Sequence, residues 1–297
     1  MVLGKKAMVF TLVTITILSI FAASYGAYSL IKDRTSINKR ISTLNNFVNS
    51  VETDLPRQLY VSGYRAIFTL NKEILDTNSY IDDVNASVNE LIRSGTLDGV
   101  TKNLTQDTKF SAIQTTLSNN AKKINAEIEL LNPRIEITQD DPWNLKFTLN
   151  ITLNITDKSG LASWNREASI ISYIPTFNLV DPLYSIGTQG KVTNKVNQTP
   201  YETFDVTSLT SHFQNSYYKA STSAPSYLNR MEGNFSADPN GVESMVYPQV
   251  LTDAGLTVKQ KSVIDYIYFS SSNPASQTIP GINNLILDNE HMADYDL

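Results

Sequence analysis

The spacing of hydrophobic residues changes character twice along this chain. From Ala7 to Ile31 it is continuous: the run AMVFTLVTITILSIFAASYGAYSLI holds no charged residue and lies between Lys5-Lys6 and Lys32-Asp33-Arg34. A helix of about 20 apolar residues crosses the hydrocarbon core of a bilayer. The run therefore predicts a basic leader over 1–7 and a transmembrane helix over 8–31. Its anchoring side chains are Met8, Phe10, Leu12, Ile15, Ile17, Leu18, Ile20 and Phe21. After the charged boundary the pattern becomes periodic. Ile37, Ile41, Leu44, Val48, Val51 and Leu55 recur in steps of four and three, which is a helical stripe. No Gly or Pro separates the stripe from the membrane run, so the apolar helix is expected to be retained as a signal anchor and to continue as a stalk. From Met8 to Leu55 it would be roughly 70 Å long. Pro56 is expected to kink or break it, with Leu59, Ile67, Leu70 and Ile74 resuming the stripe. Ile81–Leu91 predicts a short helix stopped at Ser94-Gly95. Phe110, Ile113, Leu117, Ala121, Ile124, Ile128 and Leu131 predict another, ended by Asn132-Pro133. This last stripe is the expected mate of 37–55, so that residues 32–132 form a helical stalk and small bundle within one chain.

At Pro133 the period falls to two. Leu145, Phe147, Leu149, Ile151, Leu153 and Ile155 alternate with Asn, Lys and Thr, the mark of a half-buried antiparallel strand. Asp157-Lys158-Ser159-Gly160 reads as a hairpin loop. Ala162, Trp164, Ala168, Ile170 and Ile174 suit the returning strand, with Arg166 interrupting its apolar face. Short helices are expected after Thr207-Ser208, over Pro225–Met231 and over Tyr247–Ala254, and a strand over Val263–Phe269 (VIDYIYF). The predicted class is α+β, with residues 133–297 a mixed head led by antiparallel strands.

Lys5-Lys6-Ala7, the uninterrupted apolar helix from Met8 and its amphipathic continuation resemble the N-terminal region of archaeal type IV pilin-like surface proteins. The resemblance covers about the first 55 residues. It implies processing after Ala7 and an apolar helix that remains as anchor or filament core. The leader lacks a Gly before that point, no Gln follows it, and the early Glu of bacterial pilin helices is absent.

Charge sharpens the placement. The chain has 24 basic and 29 acidic residues. Lys5, Lys6, Lys32, Arg34, Lys39 and Arg40 cluster around the apolar run and suit anionic headgroups. Beyond them the chain is strongly acidic, which disfavours phosphate backbones and argues against nucleic-acid binding. There is no cysteine, so disulfides and thiolate chemistry are excluded. Orientation pits two signals against each other. The positive-inside rule would leave the large domain in the cytoplasm, because the flank after the helix is the more basic. The short signal-like leader and the polar, Asn- and Ser/Thr-rich body place it outside, and that is the orientation expected here.

Six Asn-x-Ser/Thr sequons, at Asn85, Asn103, Asn150, Asn154, Asn197 and Asn234, are glycosylation candidates. Asn150 and Asn154 would share the outward face of one strand. The two histidines, His212 and His291, read as a packed residue and as part of an acidic tail. Carboxylates there suit a hard cation, but the tail lacks the spacing of a calcium loop, and a solvated or partner-binding terminus is the preferred reading. Asp140-Asp141 offer paired carboxylates for acid/base work, or simply turn caps. Trp143, Trp164, Tyr247, Tyr266 and Tyr268 suit a core better than a sugar platform. No nucleotide-binding loop, nucleophile elbow or His-Glu-x-x-His motif occurs. The expectation is therefore no enzyme, cofactor or metal. The chain reads as a single-pass membrane-anchored cell-surface protein of structural or interaction type, a minor pilin-like or assembly subunit. It would contact lipid, and protein partners through the apolar helix or the head. The alternatives are a ligand-binding sensory ectodomain that works with a partner, and a tethered carboxylate-dependent hydrolase.

Overall fold

A computed structural model describes residues 3–297, with the side chains of residues 3 and 5–7, and so of Lys5 and Lys6, outside the description. The fold is α+β. One helix, α1 (Leu3–Thr77), runs the full length of the apolar run and the stripe. It is followed by α2 (Val84–Ser94), a two-residue hairpin of β1 (Thr96–Leu97) and β2 (Val100–Thr101), a 3-10 turn at Asn103–Thr105, and α3 (Phe110–Lys123). Three long strands come next, β3 (Ala126–Asp141), β4 (Asn144–Asp157) and β5 (Ser163–Pro175). They form an antiparallel meander in the order β3-β4-β5.

The stripe on α1 finds its mate in this sheet, not in a second helix. Rows of inward residues cross the strands: Ile137, Phe147 and Ser172; Ile135, Leu149 and Ile170; Ile128, Ile155 and Trp164. Leu44, Val48, Val51, Leu55, Leu59, Ile67, Leu70 and Ile74 of α1 join them in one buried cluster, with α2 and α3 contributing Val88, Leu91, Ile113 and Leu117. Gly63 marks the closest approach. A Cβ there would stand 2.7 Å from Ile174 Cδ1 and 2.8 Å from Phe147 Cε1. Arg166 holds an inward position at the edge of the sheet and is used by an ion pair with Glu52 of α1.

Three expectations change here. Pro56 lies inside α1 and does not end it. The ring costs a hydrogen bond to Glu52, yet the stripe on both sides packs on one sheet face, and that burial holds the helix together. The helix predicted through Leu131 ends at Lys123, with Ile128 and Leu131 already in β3. Asn132-Pro133 is not a helix stop. It sits in a register shift between Leu131 and Arg134, with Asn132 at φ 53°, a bulge where the N–H that proline lacks is not needed.

Past Pro175 the chain makes short elements: α4 (Pro182–Gly187), α5 (Val206–Gln214), β6 (Tyr218–Ala220), α6 (Tyr227–Met231), β7 (Val242–Ser244), α7 (Pro248–Asp253), α8 (Asp265–Phe269), β8 (Ser276–Thr278), β9 (Ile286–Asp288) and α9 (Asn289–Met292). The VIDYIYF segment is thus a single bridge from Ile264 to Met245 followed by a helical turn, not a strand. A short apolar run does not distinguish the two by periodicity. Two smaller clusters fill this half, one around Leu209, Phe213, Ile264 and Leu287, the other around Tyr184, Val246 and Tyr268. Asn71 of α1 reaches into it, donating to Tyr227 Oη at 2.9 Å.

Two stability measurements follow. Gly63→Leu is expected to lower stability by about 1–3 kcal/mol through overpacking, seen as a lower urea midpoint. Pro56→Ala is expected to raise it, by up to about 3 kcal/mol, by restoring the bond to Glu52.

Candidate functional site

The residues expected to act lie in three places. The first is α1 itself. Met8, Phe10, Leu12, Ile15, Ile17, Leu18, Ile20 and Phe21 are all exposed, Phe10 by 77%, and no residue in the most apolar window of the helix is buried. In water such a surface would be a large unfavourable patch. Lys32, Arg34 and Lys39 follow, also exposed. Arg40 is turned to another task. It pairs with Asp157 at 2.5 Å and donates to the carbonyls of Ile124 and Asn125. A cation there suits the C-terminal end of α3, and the bond from Arg40 holds Asp157 more acidic than usual. Arg40 is thus a clamp between α1, α3 and the β4–β5 hairpin, and is not free for a lipid headgroup.

The second place is the outer face of the sheet. A groove of about 600 Å³ is lined by Asn132, Arg134, Asn150, Thr152, Glu167 and Ser169, among others. Asn150 is exposed and Asn154 half-buried, both on this face, where Asn154 donates to Glu129. Asn85 stands on α2, Asn103 in the 3-10 turn, and Asn197 and Asn234 in loops, all four exposed. Asp140 and Asp141 lie at the β3–β4 turn and have separate duties. Asp140 pairs with Lys146 at 2.7 Å, a bond that holds its carboxyl below the usual range. Asp141 accepts from the Trp143 amide at 2.8 Å and so closes the turn.

The third place was not foreseen. In the C-terminal half two charged networks are buried. Arg230 of α6 donates to Asp181 Oδ2 at 2.7 Å and forks onto Asp265 at 2.9 and 3.1 Å, and all three side chains are fully buried. Asp181 also caps α4 and accepts from Tyr218 Oη, and Asp265 accepts from the amide and hydroxyl of Ser244. Burial raises the carboxyl of Asp265 against the pull of Arg230. Burial would lower the guanidinium, but the two carboxylates outweigh it and raise it. Such a network ties α4, α6, β7 and α8 together, since losing one partner strands a buried charge.

The second network contains His291. The acidic tail is not a solvated terminus. Asp288, His291 and Tyr295 are buried. Asp288 Oδ1 lies 2.7 Å from His291 Nδ1, and its Oδ2 accepts from Ser262 at 2.7 Å. His291 Nε2 lies 3.0 Å from Tyr266 Oη and 3.3 Å from Glu243 Oε2. Tyr295 Oη donates to Glu243 Oε1 at 3.0 Å. Burial disfavours the charged imidazole, but the carboxylates of Asp288 and Glu243 beside it outweigh that and push His291 up to about 10. His212 is the opposite case. It is buried among Phe204, Tyr217 and Tyr295, with Nδ1 3.1 Å from Thr199 Oγ1 and no hydrogen-bond partner for Nε2. Burial, with Lys219 nearby, lowers it to about 4.

Trp143, Trp164, Tyr247 and Tyr266 pack against the core clusters, and Tyr268 lies within one. Compared with protein-family models, curated proteins and solved structures, the chain matches none. The arrangement itself therefore carries the functional reading. Arg230, Asp181, Asp265 and Glu243 lie far apart in sequence, and nothing in their spacing points to one another.

His212 yields a pH test. Its folded pKa lies below that of the free imidazole, so the unfolded chain takes up the proton first. Stability is then lost as pH falls from about 6.5 towards 4, by up to about 3 kcal/mol from this group. Urea midpoints at the two ends of that window should converge in His212→Phe relative to the parent chain.

Proposed function

We propose that this chain is a single-pass membrane-anchored protein of structural or interaction type, with residues 8–31 in the bilayer and the α+β head outside the cytoplasm. One observation carries the reading: a single helix is apolar and wholly uncovered in its first third, yet forms the core of a folded domain in its second half. At 1.5 Å per residue the 24 residues from Met8 to Ile31 span about 36 Å, enough for the hydrocarbon core. Residues 32–39 stand exposed between that span and Arg40, the first residue to grip the head. The engagement of Arg40 leaves Lys32, Arg34 and Lys39 as the basic flank, which weakens the charge argument for a cytoplasmic head. Within this reading the chain serves as a minor pilin-like or assembly subunit, its apolar helix packing against lipid or neighbouring helices while the head is displayed. The open polar groove on the sheet favours a second reading, a sensory ectodomain that binds a small polar ligand and acts through a partner.

Limited proteolysis of intact cells tests the placement. The head should be cleaved from outside, and the remnant should stay in the membrane pellet through alkaline carbonate extraction. A head protected in intact cells but digested after lysis would reverse the orientation, and extraction of the whole chain by carbonate would remove the anchor.

A further inference from the structure

We infer that Glu243, His291 and Asp294 form a divalent transition-metal site of the zinc class, which fastens the C-terminal tail to β7. Each offers a ligand atom, and these atoms all lie within 4.8 Å of one another.

The tautomer favours it. Asp288 Oδ1 stands 2.7 Å from Nδ1 of His291, so in the neutral ring the proton sits on Nδ1 and the lone pair on Nε2. A carboxylate behind the imidazole in this way orients metal-binding histidines and raises their basicity. Nε2 then faces Glu243.

Glu243 supplies the independent observation. It is fully buried. One carboxylate oxygen is satisfied by Tyr295, while Oε2 makes no hydrogen bond. A buried carboxylate oxygen without a hydrogen bond is costly, and a cation bound beside it lowers that cost. The 3.3 Å from Oε2 to Nε2 is long for a charge-assisted hydrogen bond, which falls at about 2.7–2.9 Å. It matches the edge of a tetrahedron around an ion with bonds of about 2.0–2.1 Å, which is about 3.3–3.4 Å.

Charge balance agrees. Glu243, Asp288 and Asp294 bring three negative charges. Lys219 brings one positive, its Nζ donating to the Asp294 carbonyl at 2.6 Å and lying 4.2 Å above the Tyr295 ring. Tyr266 and Tyr295 complete the surroundings as neutral phenols. A dication on a neutral His291 brings the cluster to zero, whereas a proton on His291 leaves it with one net negative charge. Proton and metal thus compete for Nε2. Binding releases the proton, and Tyr266 Oη gives up its contact with Nε2. One imidazole nitrogen with two carboxylates, and no thiolate, suits zinc or manganese and disfavours calcium, which takes oxygen ligands. Asp294 is exposed and gives the ion its way in.

The test uses the full chain in detergent, purified without a histidine tag, stripped with chelator and titrated with zinc at pH 7.5. Calorimetry should show about one zinc per chain with a dissociation constant below about 10 μM, and thermal unfolding should shift upward by several degrees, with no shift from calcium. Asp294→Asn, at an exposed position, should unfold at the parental temperature without metal yet bind zinc at least about tenfold more weakly. His291→Gln should abolish the zinc-induced shift. No zinc bound at about ten times that dissociation constant, or equal binding by the parent and Asp294→Asn, overturns the site.

Discussion

The packing of α1 on the inner face of the three-stranded sheet is the contact on which the rest of the molecule depends. A three-stranded meander has one apolar face to hide and no second sheet to hide it against. Here the cover is a helix, and its fit is set by Gly63, where the backbone of α1 comes down onto Phe147 and Ile174. Leu44 through Ile74 are therefore core residues of the head in the same sense as Leu145 or Leu149. The apolar N-terminal stretch is not an appendage tied to a finished domain. The helix that carries the apolar N-terminal run also supplies much of the core of the fold.

How much of this the sequence discloses depends on whether a pattern is read alone or against a partner. The apolar helix at the N-terminus, the stripe from Ile37 and the β4 strand are legible because each carries its pattern over many residues. The boundary between α3 and β3 is not. Ile124, Ile128 and Leu131 fall at helical spacing by coincidence. The bulge at Asn132-Pro133 then moves the inward positions of β3 from even numbers (Ile128, Leu130) to odd ones (Ile135, Ile137). A strand whose parity changes midway offers no sustained alternation, and proline adds a false stop. The partner of the α1 stripe was hidden for a related reason. A stripe states that something apolar covers it, and is silent on whether that is a helix or a sheet.

The C-terminal half is less legible because polar contacts organise it. Its helices have four to nine residues and its strands three, too short for periodicity to speak. Arg230 joins Asp181 to Asp265, and His291 joins Asp288 to Glu243. Each pair spans residues whose meeting depends on the completed fold. The same networks explain why VIDYIYF turns rather than extends: Asp265 must reach Arg230 and Ser244 at once. The cluster at the tail shows the cost of judging residues by neighbourhood in sequence. Asp288, Glu290, Asp294 and Asp296 look like a solvated acidic end, yet the segment closes over the core through Tyr295 and His291.

The clamp at Arg40 has a mechanical meaning. It joins α1 to the C-terminal end of α3 and the β4–β5 hairpin just where the head begins, so the head has no swivel of its own about the helix. An α-helix turns by about 100° per residue. Each residue added or removed between Ile31 and Arg40 would therefore rotate the whole head by that angle relative to the faces of the apolar run, and raise or lower it by only about 1.5 Å. The short exposed segment 32–39 acts as a dial. Its length sets which way the outer sheet face, with Asn150 upon it, looks around the helix axis.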